Sequence, residues 1–341
     1  MPRHLRPAGL VALMIALAGA SNAEPVTLKA GETTFTIDAS TLRIDAARAG
    51  ETPQSVMPPQ HDAEAGVPPV AVDKGWRWQD TTGRTYTAST EGDALKLVVR
   101  APPEQKLNWA LPQVATGTWL IPDGEGMAFQ VDDAFWRQHN QREHCLDGTA
   151  GLSFPAWSYL TSDRAVIYAL GDGLRSELCL KDDHGLQARL NHSFDETPEG
   201  LEILFAVRPP DPLAPAIFYR DRLKGRGQFR TLTDKAVPDL ERLYGAPQAY
   251  VWGDGRDLAF LDDLKALGIE RINLSYDQNP AKNAHVVRSA YLEKAEALGY
   301  LAGPYDVFDN GQPPGEDTSP YVLWDKLSTP PAAFWIARAS R

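Results

Sequence analysis

Cysteine is scarce in this 341-residue chain: Cys145 and Cys179 are the only two. That count excludes a disulfide-dense scaffold and a four-cysteine zinc site. In an oxidising compartment the two can form one disulfide, although nothing in the sequence sets their distance. His139, His144 and Cys145 could be drawn as metal ligands, but their spacing matches no regular zinc motif, and a polar loop is the better reading. Long apolar runs are also missing. No segment approaches the roughly 20 residues that span a bilayer, so no membrane span is expected. Positive charge is short, with 34 Lys and Arg against 45 Asp and Glu and a formal net charge of -11. Without a basic stripe to neutralise phosphates, nucleic acid is not an expected partner. A Gly-rich phosphate loop and a dinucleotide fingerprint are lacking, and Ser275 and His285 build no local nucleophile-base motif.

What is present begins with a signal. Arg3 and Arg6 precede an apolar run from Leu10 to Leu17, and small residues lead to Ser21-Asn22-Ala23. This pattern predicts a secretory signal peptide over residues 1–23, cleaved after Ala23, and a periplasmic or extracellular product. No cysteine stands at the cleavage site, which argues against a lipid anchor. With 43% hydrophobic residues and 9 Trp, the mature chain can bury a large core, and its length suggests two domains.

Residues 24–208 read as β throughout. Thr34 to Ile37, Leu95 to Val99 and Ala165 to Tyr168 alternate or run apolar as strands do, and Asp80 to Gly83, Glu91-Gly92-Asp93, Asp123-Gly124 and Asp172-Gly173 are turn material. An antiparallel sandwich follows. Residues 48–72, rich in Pro, Ala and acid, read as an exposed loop between strands. Residues 209–243 form a junction that contains Arg220, Arg222, Lys224 and Arg226. In an acidic chain that basic run is better read as a solvated or packing face than as a polyanion site. Asp123, Glu125, Asp132 and Asp133 cluster in the sandwich. A structural calcium ion is one reading, but no loop carries regular ligand spacing, so a solvated turn is preferred and no organic cofactor is expected.

From residue 244 the pattern changes. Strand-like runs alternate with segments of helical period, with Leu267-Gly268 leading into a strand that ends Tyr276-Asp277 and Leu298-Gly299 into one that ends Tyr305-Asp306. This is the pattern of parallel strands joined by crossover helices, with Gly closing each helix. Residues 244–327 thus read as the first strand-helix units of a (β/α)8 barrel, about three where a closed barrel needs eight. Residues 328–341 read as an irregular tail. Asp254, Asp277 and Asp306 each follow a predicted strand, at the end where α/β folds keep ligands. Carboxylates accept hydrogen bonds from sugar hydroxyls, and Trp252, Tyr276 and Tyr305 offer flat apolar faces to a pyranose. The structural alternatives are that Asp254 or Asp257 caps the helix near Leu258, and that the Tyr rings are core.

Several phrases resemble the endo-α-N-acetylgalactosaminidase family of secreted glycoside hydrolases. They are Trp119 to Gly126 (WLIPDGEG) with Asp132, Asp133 and Trp136; Pro155 to Tyr159 (PAWSY); Tyr250 to Gly255 (YVWGDG); Leu267 to Asp277 (LGIERINLSYD); and Gly303 to Asp306 (GPYD). The resemblance implies a β-supersandwich followed by a (β/α)8 barrel, retaining hydrolysis of O-glycosyl bonds, and a carbohydrate or glycoconjugate partner. It implies that Trp252, Asp254, Tyr276, Asp277, Tyr305 and Asp306 are rim residues at the sugar-binding end. In that family the nucleophile and the acid/base sit around the fourth to sixth barrel strands, so no catalytic carboxylate is assigned to this chain. A barrel truncated by Arg341 is expected to be inactive or to bind carbohydrate without turnover, and a sandwich used only for binding is the further alternative. N-terminal sequencing of the protein secreted by an expressing cell should start at Glu24, and an intact Met1 on the exported product would contradict the signal-peptide reading.

Overall fold

The computed structural model describes residues 24–60, 65–113, 115–124, 126–148, 151–171, 173, 175–194, 200–235, 240–251, 255, 257–277 and 289–305. Within these the chain divides into two units, with the boundary between Phe229 and Arg230.

The first unit is an antiparallel β structure built from three sheets. One is a meander of β1 (Val26–Ala30), β2 (Thr33–Asp38), β3 (Arg43–Arg48) and β4 (Gln54–Met57). The strands that follow are β5 (Ala65–Val72), β6 (Gly75–Asp80), β7 (Thr85–Glu91), β8 (Ala94–Arg100), β9 (Lys106–Ala110), β10 (Thr118–Ile121) and β11 (Met127–Gln130). After a short helix α1 (Ala134–His139) come β12 (His144–Asp147), β13 (Ala156–Leu160), β14 (Ala165–Leu170), β15 (Ser176–Asp182), β16 (Leu186–Ser193) and β17 (Leu201–Arg208). They assemble as a nine-stranded sheet, β11-β10-β13-β14-β17-β8-β7-β6-β5, and a four-stranded sheet, β12-β15-β16-β9.

Alternation explains the packing. In β2, Phe35 and Ile37 are buried while Thr34 and Thr36 are partly exposed, and β16 buries Leu186, Ala188 and Leu190 in the same way. A period of two sends each apolar set to one face. Those faces meet in one core that draws on all three sheets, including Phe35, Ile44, Tyr86, Leu97, Trp109, Trp119, Leu178 and Leu190. Two of the phrases on which the family resemblance rests supply rings to it. Trp119 packs against Tyr159 at 5.2 Å between centroids and Trp157 stacks on Tyr168 at 5.9 Å, and all four are buried. Burial, together with the nearby charge of Asp163, pushes the Tyr159 phenol up to about 12. The Tyr168 hydroxyl donates to the carbonyl of Val56 at 2.9 Å and ties two sheets together.

The middle of the large sheet is buried on both faces. Every residue of β14 is buried. Its Ala165, Ile167 and Ala169 join Ala156, Leu204 and Ala206 in a second cluster, covered by Ala214 and Phe218 of helix α2 (Ala214–Gly225). Small side chains on that face let the helix approach.

Two expectations need correction. The Pro/Ala-rich stretch 48–72 is not simply a loop, because it contains β4 and the strand β5. β5 is the edge of the nine-stranded sheet and pairs with β6 with register shifts between Ala65 and Val67 and between Val67 and Val70. Pro68 and Pro69 are tolerated there because an edge strand has one side free of ladder bonds and a bulge removes others. Nor is 209–243 one junction, since α2 belongs to the first unit. Its basic residues clamp it down. Arg222 Nε donates to Glu91 Oε1 at 3.0 Å, Nη1 to the Leu170 carbonyl at 3.0 Å, and Nη2 to Glu202. Arg226 Nη2 reaches Glu91 Oε2 and Glu202 Oε1, both at 3.1 Å, while Lys96 meets Glu202 at 2.6 Å.

The second unit contains a 3-10 turn (Thr233–Lys235), α3 (Leu240–Leu243), β18 (Gln248–Val251), α4 (Leu258–Ala266), β19 (Asn273–Asp277), α5 (Ser289–Ala297) and β20 (Leu301–Tyr305). The three strands are parallel in the order β18-β19-β20. Val251, Leu261, Ile272, Leu274, Tyr291, Ala295 and Tyr300 form its core.

Partial burial raises the pKa of Glu91 and Glu202, but Arg222, Arg226 and Lys96 outweigh it and hold both carboxyls below the ordinary 4.5. A depressed folded pKa means that their contribution is complete above the unfolded pKa and is lost as pH falls through the folded one. Arg222→Met should therefore cost about 2 kcal/mol at neutral pH. That is less than the roughly 3–5 kcal/mol for breaking a fully buried pair, because Glu91 and Glu202 keep 33% and 22% side-chain exposure. Urea denaturation at pH 7 and at about pH 3 checks this, with the gap between wild type and variant narrowing in acid.

Candidate functional site

The candidate site is the edge of the second unit where its parallel strands end. Two loops of the same construction deliver β19 and β20. After α4, Gly268 N–H donates to the Lys265 carbonyl at 3.0 Å and Ile269 N–H to that of Leu264 at 3.1 Å. After α5, Gly299 N–H donates to Glu296 at 2.9 Å and Tyr300 N–H to Ala295 at 2.9 Å. This double bond pattern is the Schellman helix end, which requires a left-handed residue. Gly268 at φ 76° and Gly299 at φ 85° supply it. The loops are joined, since the Tyr300 hydroxyl donates to the Ile269 carbonyl at 2.6 Å.

Register then levels the strand ends. Val251 lies opposite Tyr276, and Asp277 opposite Tyr305. Of the six candidate residues, Tyr276, Asp277 and Tyr305 occupy these strand-end positions, where the backbone alone is described. Trp252, Asp254 and Asp306 lie outside the described residues; Trp252 follows Val251 directly in sequence and Asp306 follows Tyr305. Within β19, Leu274 is buried while Asn273 and Ser275 are partly exposed. Asn273 and Ser275 carry a polar network, in which Gln248 Nε2 donates to Ser275 Oγ and Asn273 Nδ2 to Gln248 Oε1. Tyr250, on β18, is 56% exposed. Sequence reasoning missed Gln248 and Ser275 as partners because their contact exists only across strands 27 positions apart.

Of the capping alternative, Asp257 stands at the N-cap position of α4 with extended backbone but makes no side-chain cap bond, and Asp254 lies outside the described residues. Tyr291 and Tyr300 are the tyrosines seen in the core of this unit.

Elsewhere, several of the other candidate residues take structural roles. Asp133 of the acidic cluster caps α1, its Oδ1 accepting from Phe135 N–H at 2.7 Å and Trp136 N–H at 3.3 Å; Glu125 lies outside the described residues. Cys145 and Cys179 face each other across β12 and β15 and are bonded. Their sulfurs and a Glu143 oxygen lie within 4.8 Å of one another, yet the disulfide removes both thiolates, so this is not a metal site as it stands. His139, the last residue of α1, and His144, the first of β12, have ring centroids 6.3 Å apart. Among the described residues, no helix is long and apolar enough to cross a membrane.

Neither a protein-family model nor a curated protein sequence matches the chain. Solved structures do. The ligand-free α-N-acetylgalactosaminidase NagBb from Bifidobacterium bifidum aligns with a TM-score of 0.63 at 16% identity, covering 82% of this chain and 58% of NagBb. Its GalNAc complex aligns at 0.61 and 14% identity, and its Gal-NHAc-DNJ complex at 0.61 and 15%, each over the same shares. The fold is glycoside hydrolase-like. The chain spans a little under three-fifths of the length of these neighbours.

Because a Cβ at Gly268 would meet nothing within 4 Å, Gly268→Ala tests backbone handedness alone. It should lower stability by about 1–2 kcal/mol, the usual penalty for a left-handed L-residue. A chemical denaturation midpoint unchanged from wild type would show that the loop does not need this conformation.

Proposed function

We propose that the chain is an exported, glycoside hydrolase-like protein that engages carbohydrate at the C-terminal ends of its parallel strands. The observation that carries this reading is the levelling of β18, β19 and β20, which gathers the segments ending Val251, Asp277 and Tyr305 at one edge, the ligand end of α/β architectures. Trp252, Tyr276 and Tyr305 would supply ring faces, and Asp254, Asp277 and Asp306 hydrogen-bond acceptors for sugar hydroxyls. In the complete family architecture, the reaction is hydrolysis of an O-glycosyl bond with retention, by two carboxylates about 5 Å apart, one attacking the anomeric carbon and the other protonating the leaving oxygen. No residue of this chain is assigned to either role. The substrate class we favour is an N-acetylgalactosaminyl glycoconjugate, following the sugars named for the NagBb complexes.

A second reading is carbohydrate binding without turnover. It is favoured by the cavity of about 570 Å³ that the first unit carries on the sheet β12-β15-β16-β9, whose lining includes Lys106, Asn108, Asp147, Glu177 and Asn191.

Calorimetric titration of the mature chain with N-acetylgalactosamine should show saturable binding with a dissociation constant on the order of 1 mM. Asp277→Asn and Trp252→Ala should each weaken it about tenfold, or roughly 1.4 kcal/mol. Absence of binding, or binding indifferent to both substitutions, would rule out the strand-end site.

A further inference from the structure

The corner where α1 leads into β12 holds both cysteines and a carboxylate. Among the described residues, Glu143, Cys145 and Cys179 are the one group of three metal-ligating side chains whose donor atoms all lie within 4.8 Å of one another. Three atoms that each touch one zinc-sized ion at about 2.0–2.3 Å can stand no further than about 4.6 Å apart. The group therefore already has nearly the span that one ion requires. What it lacks is thiolates, which the disulfide withholds.

The fold holds these donors together without help from the sulfur–sulfur bond. Ladder pairs from His144–Leu180 to Asp147–Glu177 join β12 to β15, with Cys145 directly opposite Cys179, so both side chains leave on one face of the sheet. Alternation sends His144 to the other face. Asn140, the buried C-cap of α1, pins the approach to the strand, its carbonyl accepting from Asp182 N–H at 2.8 Å. The next row of the sheet sets Asp147 opposite Glu177, Glu177 opposite Asn191 and Asn191 opposite Asn108. From that row Asn191 Nδ2 approaches Cys179 Sγ at 3.2 Å, while Asn191 Oδ1 accepts from Asn108 Nδ2 at 2.8 Å. A fixed N–H beside a sulfur orients it as a ligand and stabilises its charge.

The bond can be opened from outside. Cys179 is only 1% exposed, but Cys145 is exposed and stands on β12, an edge strand. A small dithiol thus meets Cys145 first. Its thiolate attacks Cys145 Sγ, the sulfur–sulfur bond breaks, and the electron pair passes to Cys179 Sγ. The second thiol of the reagent then displaces Cys145, leaving two protein thiols and the cyclic, oxidised reagent.

We propose that Glu143, Cys145 and Cys179 form a metal site that the disulfide keeps shut, and that the reduced chain takes one zinc-class divalent cation there. Two thiolates and a carboxylate select a borderline-soft ion over calcium or magnesium, which take oxygen ligands. The ion displaces one proton from each thiol, is held by two sulfurs and a Glu143 oxygen, and keeps a fourth position for water. This inference goes beyond the strand-end carbohydrate reading and shares no residue with it.

The test uses Co2+ as the probe. The mature chain is reduced with dithiothreitol, freed of the reagent under argon and titrated. One equivalent should bring up sulfur-to-cobalt charge-transfer absorption and the visible bands of a tetrahedral ion, with a dissociation constant on the order of 10 μM. Zn2+ should bleach both, since it binds such a site more tightly. The oxidised chain should show neither signal. Cys145→Ser should remove the charge-transfer response, Glu143→Ala should weaken binding at least about tenfold, and His144→Ala should leave it unaltered. Circular dichroism should be the same before and after reduction and in each variant. The proposal is overturned if the reduced chain binds no Co2+, if reduction melts the sheet, if the oxidised chain gives the same spectrum, or if Cys145→Ser or Glu143→Ala binds as wild type does. Loss of binding in His144→Ala would overturn it as well, and would mark the His139 and His144 pair instead.

Discussion

Burial of the central strands on both faces is the constraint on which the first unit depends. A strand with one wet face can alternate; β14, with core on one side and α2 on the other, cannot. Its two faces solve different packing problems. Towards the main core it offers Val166, Tyr168 and Leu170, and towards the helix Ala165, Ile167 and Ala169. The large rings fill the space between sheets, while the alanines leave room for a helix that contributes Phe218. Arg208 of the neighbouring strand lies 5.0 Å over that ring.

Ion pairs add to apolar packing in holding that helix in place. α2 has no side-chain cap at its start, and it buries Ala214, Pro215 and Phe218. Arg222 and Arg226 reach back to Glu91 and Glu202, residues far apart in sequence but adjacent where β7 ends and β17 begins. The pairing neutralises a basic run that, taken alone, looks like a binding site. An equivalent conversion of apparent chemistry into structure occurs at Asp80. Its buried carboxylate accepts from Thr82 N–H at 2.9 Å, Arg84 N–H at 2.9 Å and the Tyr86 hydroxyl at 2.8 Å, holding the turn between β6 and β7.

Much of the architecture was legible because its signals are local. The alternation of Thr34 to Ile37, the apolar run Ala165 to Tyr168 and the turns at Asp80 to Gly83 and Glu91 to Asp93 report strands and hairpins without reference to the rest of the chain. The shared Leu-Gly frame at 267–268 and 298–299 reports two equal helix ends, which the hydrogen bonds reproduce. The stretch 48–72 was less legible because its composition is that of a loop, and an edge position with bulges is what makes Pro68 and Pro69 compatible with pairing. The strand-end candidates were legible as residue types after strands. The groove on the outer sheet was not, because Asp147, Glu177, Asn191 and Asn108 come from four strands and no short motif contains two of them.

The sequence by itself determined the β-then-α/β order, the turn and helix-end chemistry, and the residue types at the strand ends, since each follows from periodicity or from the φ angles that particular side chains allow. Tertiary structure decided that the two cysteines bond, which arginines are consumed as clamps, that Asp277 is level with Tyr305, and that four polar residues line up across one sheet. Those outcomes depend on strand order and register, which are set by long-range burial of apolar faces rather than by any local stretch of chain.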